Sequence, residues 1–125
     1  MILDTNALSA AAEKDPAIIK ISAAAQRLAV PVVVIGEYRS GIARSHNRVR
    51  YETWLEALLA DCLVLDISNA TTHYYAAIVL ELTAIGKLIP TNDMWIAALC
   101  RQHNLPLLSR DRHFDAVRGL KRLDW

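Results

Sequence analysis

The sequence predicts an α/β fold: a parallel sheet assembled from βαβ units and covered by helices on both faces. Three observations point there. Short apolar runs alternate with longer amphipathic ones through all 125 residues, as strands alternating with helices do. Capping and stop residues bracket the amphipathic segments. Apolar residues make up 54% of the chain and charged residues 22%, with four Gly and four Pro, which is a globular composition.

In order, residues 1–3 form a first apolar strand that runs directly into Asp4. That places a carboxylate at a strand's carboxyl end, where open α/β sheets collect ligands and catalytic groups. Asp15 then offers a helix N-cap with Pro16 at the first helical position, a favoured pairing. Ile18, Ile21, Ala25 and Leu28 come next at helical spacing, so a helix to about residue 27 is expected. The apolar stretch 28–35, broken by Pro31, contains a second strand, and a helix beginning near Ile35 carries Glu37, Tyr38 and Ile42. Residues 48–61 form a further helix with Tyr51, Leu55 and Leu58 on one stripe, widened by Trp54 and Leu59. Residues 63–65 make a third strand ending at Asp66. Ser68 caps a long helix striped by Tyr75, Ile78, Val79, Leu82 and Ile85, and Gly86 stops it. Thr91, Asn92 and Asp93 open another helix that ends near Asn104; residues 106–109 form a fourth strand and 120–123 a fifth.

The same features bound the class. A chain of this length is one domain, here residues 1–125, large enough for a real core. No basic region followed by an apolar stretch marks a secretory leader, and charges interrupt every apolar run before membrane-spanning length. Cys62 and Cys100 form no CxxC and read as reduced thiols. A soluble cytoplasmic protein is expected. The net charge of +1 selects no partner, but its distribution does. Arg39, Arg44, Arg48 and Arg50 lie between Tyr38 and Tyr51 with no acid among them. Arg101, Arg110, Arg112, Arg118, Lys121 and Arg122 outnumber Asp111 and Asp115. Bases thus flank Glu37 and Asp111, which suits a polyanion lying across a carboxylate centre, although ordinary solvated faces also look like this.

Asp4, Glu37, Asp93 and Asp111 carry the chemistry. Each falls at a strand exit or helix entry, and all four converge if the first, second and fourth strands are neighbours. Clustered carboxylates repel one another, and a divalent cation resolves the repulsion. Oxygen donors without His or Cys suit Mg²⁺ or Mn²⁺ rather than Zn²⁺. Such a metal activates water and stabilises charge on a phosphoryl oxygen. Taken singly, each acid has an ordinary explanation. Glu37 and Asp93 complement helix dipoles, Asp4 caps the short segment after it, and Asp111 pairs with neighbouring arginines.

The residues also carry a resemblance. Leu3-Asp4-Thr5-Asn6, Gly36-Glu37 after an apolar strand, Thr91-Asn92-Asp93 before Ile96-Ala97-Ala98, and Leu107 to Asp111 before Gly119-Leu120 resemble the PIN-domain family. More closely they resemble the VapC-type ribonuclease toxins of toxin–antitoxin modules. The resemblance spans essentially the whole chain. It implies a three-layer α/β/α sandwich with a mostly parallel four- to five-stranded sheet, and a metal-dependent endoribonuclease. Asp4, Glu37, Asp93 and Asp111 would ligate Mg²⁺ or Mn²⁺, with Thr5, Asn6, Asn92 and Ser109 orienting them. Arg39, Arg44, Arg110 and Arg112 are the candidates to hold the RNA backbone. A small cognate antitoxin and a homodimer are implied as partners, and the 48–62 helix is the first candidate docking surface. Many relatives carry an acid directly before the residue matching Phe114, where this chain has His113. Asp111 therefore takes the fourth role, with Asp115 as fallback.

Three rival readings remain open. An aspartate-based phosphatase would use Asp4 as nucleophile but wants a second Asp at position 6, where this chain has Asn. A phospho-receiver domain would use Asp66 but needs an acid pair after the first strand. A PIN fold that only binds RNA or protein would need no metal. Cys100 and His103 are spaced as half a zinc site, but nothing supplies the other half. His113 reads as an incidental loop histidine, and the Trp54, Leu55, Leu58 and Leu59 cluster as core.

Overall fold

The computed structural model describes residues 1–125. Five strands, β1 (Ile2–Leu3), β2 (Ala29–Pro31), β3 (Leu63–Leu65), β4 (Leu107–Leu108) and β5 (Arg122–Leu123), form one sheet in the order β3-β2-β1-β4-β5. Every pairing is parallel. Six helices connect and cover them: α1 (Thr5–Ala12), α2 (Pro16–Ala24), α3 (Val32–Ile42), α4 (Arg48–Asp61), α5 (Asn69–Ala84) and α6 (Thr91–His103). A 3₁₀ turn spans Arg112–Ala116. The α/β expectation therefore holds, and the sheet is wholly parallel. No helix is long and apolar enough to cross a membrane.

The strands are short because only their central residues bridge the core. β1 and β4 are Ile-Leu and Leu-Leu, buried at every position. Covered on both faces, they show no in-out alternation. Ile2, Leu3, Leu8, Leu107, Leu108 and Phe114 are fully buried within one core cluster of 25 residues. Each such side chain contributes about 1.5–3 kcal/mol of transfer free energy.

Topology sets where a site can form. From β1 the chain winds outward through β2 to β3, then crosses back to β4 and β5 on the other side. The strand order thus reverses beside β1, and the loops there leave in opposite directions and open a crevice at the carboxyl ends. β2, β1 and β4 are adjacent, the condition for convergence of the four acids, and β3 with its Asp66 lies at the sheet edge.

Three helices differ from the sequence expectation, and β1, β4 and β5 are shorter than expected. The helix α1, absent from that expectation, begins directly after Asp4; Asp4 is its N-cap, and Ala7 and Leu8 bury its inner face. α3 begins at Val32, with Pro31 as its N-cap residue. Val32, Val33 and Val34 favour strands, but Pro31 closes β2, and burial of Val34, Ile35 and Tyr38 fixes a helix. α2 ends at Ala24 because Ala25 is extended. At the end of α6 the sequence expectation holds: Asn104 adopts the left-handed conformation, φ 51° and ψ 48°.

Candidate metal centre

Asp4 leaves β1 at the switch point and is buried at 3% exposure. Its Oδ1 accepts the Ala7 N–H at 2.8 Å, so the side chain caps α1. Glu37 sits on α3, the helix after β2, and its Oε1 is buried with no hydrogen-bond partner. Asp93 is the acid in the first turn of α6. Asp111 lies just beyond β4, its N–H donating to Ser109 Oγ at 3.0 Å. Asn6 reaches it from α1, with a long 3.5 Å contact from Nδ2 to Asp111 Oδ2.

Electrostatics tie these residues into one site. Burial pushes the Asp4 carboxyl above its ordinary value; the Ser109 hydroxyl and the Ala7 N–H pull it back, and the Asp111 charge pushes it up again. Burial also raises Glu37, and the Asp93 charge adds to it, while the Thr5 and Asn92 side chains favour its ionised form. For Asp93 burial is again the largest cause; His113 opposes it, and Asp111 and Asp4 reinforce it. Asp4, Glu37 and Asp93 are thus each raised, by burial first and by a neighbouring acid as well. The residues expected to orient the acids lie beside them: Thr5 and Asn92 at Glu37, Asn6 at Asp111, Ser109 at Asp4 and Asp111.

The donor set fits a hard divalent cation. Four carboxylates supply oxygens, and mutual repulsion is what a cation would relieve. Two buried atoms, Glu37 Oε1 and His113 Nε2, lack hydrogen-bond partners, and buried polar atoms without partners are rare. No three of the chain's Asp, Glu, His or Cys side chains are drawn together as tightly as a closed coordination shell.

His113, read from sequence as incidental, lies against Asp93. Its Nε2 lies 2.9 Å from Asp93 Oδ2, yet forms no aligned hydrogen bond. The fallback acid is placed elsewhere. Asp115 is bound by Arg122, at 2.8 Å from Nε and 3.2 Å from Nη2, and that hydrogen-bonded pair lowers its carboxyl. Arg122 carries no sequence signal of its own, yet it also donates to the Ser109 carbonyl at 2.9 Å. It thereby ties β4, β5 and the 3₁₀ turn around Asp111 and His113.

The candidate RNA-binding arginines separate into two groups. Arg44 and Arg112 are exposed and belong to none of the chain's ion pairs. Arg39 spans Glu52 and Glu56 of α4, so the acid-free run in sequence is countered one helix later. Arg110 stacks on Trp125, 4.4 Å from the ring centroid, and donates to the Trp125 carbonyl oxygen. Cys100 is a core thiol, pushed by burial to about 12, while His103 is exposed. Leu55 is core; Trp54, Leu58 and Leu59 are half-buried against it, and Trp54 also lines a surface hollow with Ala12, Glu13, Lys14, Arg50 and Tyr51.

Comparison with known proteins places this arrangement in context. The family model described as the PIN domain matches residues 1–120. Among curated proteins, Ribonuclease VapC5 of Mycobacterium tuberculosis is 30% identical over 74% of this chain and 70% of its own length. Ribonuclease VapC2 of Rickettsia felis is 26% identical, covering 99% of this chain and 96% of its own. Among solved structures, VapBC2 from Rickettsia felis bound to a DNA fragment from their promoter superposes with a TM-score of 0.87 at 25% identity. That match covers 99% of this chain and 97% of the other.

Proposed function

The chain belongs to the PIN-domain family, and from that premise we propose that it is a metal-dependent endoribonuclease, the toxin of a toxin–antitoxin pair. It acts in the cytoplasm as one nuclease domain over residues 1–125. Support comes from its relatives, named ribonucleases, and from its likeness to a VapBC structure. The observation that carries the reading is placement: Asp4 at the end of β1, Glu37 on α3 after β2, Asp93 in the first turn of α6 and Asp111 just beyond β4 belong to elements around the switch point of the sheet.

Asp4 and Asp93 are the primary ligands for Mg²⁺ or Mn²⁺, and Glu37 and Asp111 complete the site or hold a second ion. When bound, the cation lowers the pKa of a water and neutralises charge developing on the phosphoryl oxygens. The protein's own groups fix the geometry. The Ala7 N–H holds one Asp4 oxygen and so fixes the carboxylate at the end of β1. Asn6 steers Asp111, and Thr5 and Asn92 lie beside Glu37, partly offsetting the burial that raises its carboxyl. Arg44 and Arg112 are free to meet RNA phosphates, whereas Arg39 and Arg110 are already engaged. Attack of a water oxygen on phosphorus, with cleavage of the P–O3′ bond and protonation of the departing O3′, would leave 5′-phosphate and 3′-hydroxyl ends.

A cognate antitoxin covers the crevice, and the hollow beside Trp54 on α4 is the docking surface we favour. A homodimer would cover the exposed Leu80, Ile85 and Leu88. The phosphatase rival is disfavoured because Asp4 is almost fully buried and one oxygen is tied to a backbone N–H. An RNA cleavage assay tests the proposal. Wild-type protein should cut RNA with Mg²⁺ or Mn²⁺ and stop in EDTA, and Asp93→Asn should be inactive under every condition. Cleavage that persists in EDTA, or an active Asp93→Asn protein, would exclude this mechanism.

A further inference from the structure

We propose that His113 coordinates the divalent cation through Nε2, giving a mixed nitrogen–oxygen site that prefers Mn²⁺ over Mg²⁺ more strongly than four carboxylates alone would. The inference rests on the metal-site reading above and concerns one residue that this reading does not assign.

The geometry is the first support. Nε2 of His113 lies 2.9 Å from Asp93 Oδ2, yet that nitrogen is buried and without a hydrogen-bond partner. If Nε2 carries the proton, its N–H points off the carboxylate. If it carries the lone pair, two lone pairs face each other across 2.9 Å. A protonated ring would pair with the Asp93 charge across this gap, but in every protonation state Nε2 is misaligned for a hydrogen bond to the carboxylate. A cation received by both atoms removes the conflict. Neighbouring corners of an octahedron with metal–ligand distances of roughly 2.1 Å are about 3.0 Å apart, which matches the separation of the two atoms.

The second support is how the ring is held. His113 lies in the 3₁₀ turn between Asp111 and the fully buried Phe114, whose ring centroid is 4.7 Å from the imidazole. Arg122 grips the turn at Asp115 and the preceding strand at the Ser109 carbonyl. The backbone that carries the imidazole is thus held in place, and ordering the ring alone is the remaining entropic cost of ligation. Imidazole is a softer donor than carboxylate, and Mg²⁺ takes oxygen ligands far more readily than nitrogen, while first-row transition metals accept both.

Electron spin-echo spectroscopy on the Mn²⁺-loaded wild-type protein gives the test, because a directly bound imidazole nitrogen leaves a ¹⁴N coupling that water and carboxylates do not. The expected spectrum shows that coupling, and His113→Gln loses it; the chain's other histidines, His46, His73 and His103, have no place at the centre. In parallel, metal titrations should show the Mn²⁺-over-Mg²⁺ affinity ratio falling about tenfold in His113→Asp. Bound Mn²⁺ with no nitrogen coupling in the wild-type protein overturns the assignment of His113 and leaves the carboxylate site standing. Wild-type protein that binds neither cation overturns both. The wild-type spectrum decides the matter even if a variant folds poorly.

Discussion

Asp4 does two jobs, and two substitutions separate them. Its carboxylate caps α1 through the 2.8 Å bond from the Ala7 N–H, and its charge is buried beside that of Asp111. Asp4→Asn keeps a capping oxygen and removes the charge; Asp4→Ala removes both. Loss of an N-cap costs about 1 kcal/mol. In a chain of this size that corresponds to roughly 4 °C in Tm. Burial raises the Asp4 carboxyl, so the folded state favours its protonated form. The stability Asp4 contributes is therefore full below its unfolded pKa and is lost as pH rises through the raised folded value. At neutral pH without metal, Asp4→Asn should accordingly melt no lower than wild type, and Asp4→Ala about 4 °C below Asp4→Asn. Thermal melts in EDTA, from pH 4 to pH 8, measure this. Neither variant should cleave RNA. If Asp4→Asn melts well below wild type in EDTA at neutral pH, the Asp4 charge supports the fold, and the claim of a strained carboxylate centre fails.

Other perturbations probe neighbouring links. Asp93→Asn should raise metal-free stability at neutral pH and abolish stabilisation by Mn²⁺, because Asp93 is also raised by burial and by its acidic neighbours; urea titrations with and without Mn²⁺ would reveal it. Acidification should act oppositely on the exposed pairs: Arg101 lowers Glu81 and Arg122 lowers Asp115, so their small contribution disappears as pH falls through the lowered values. Phe114→Ala should cost about 3–5 kcal/mol by urea unfolding, since the ring is fully buried under the Asp111–His113 turn. Arg122→Ala should weaken Mn²⁺ binding although Arg122 touches none of the four acids, because it ties Ser109 to Asp115; unchanged affinity would remove it from the positioning network.

Much of this was legible in sequence because the signals are local. An apolar strand running into Asp4, the Asp15-Pro16 start and the Thr91-Asn92-Asp93 helix entry each declare themselves within a few residues. The structure bears out the alternating order, and with it the adjacency of β1, β2 and β4. The readings that failed depended on contacts distant in sequence. Val32 to Val34 look like strand until Pro31 closes β2 and burial turns the segment into α3. Arg39 looks unpaired until α4 brings up Glu52 and Glu56. Asp115 stands as a fallback to Asp111 until Arg122, arriving on β5, pairs with it. His113 looks incidental because nothing in the chain beside it reveals Asp93, twenty residues earlier and 2.9 Å away.

The central claim is that Asp4, Glu37, Asp93 and Asp111 form a divalent-metal site. Anomalous X-ray diffraction from crystals of the protein soaked in Mn²⁺ tests it most directly. The expected result is a Mn²⁺ peak enclosed by these four side chains, absent from Asp93→Asn crystals. A peak elsewhere, or none at this centre in a protein that cleaves RNA, would contradict it.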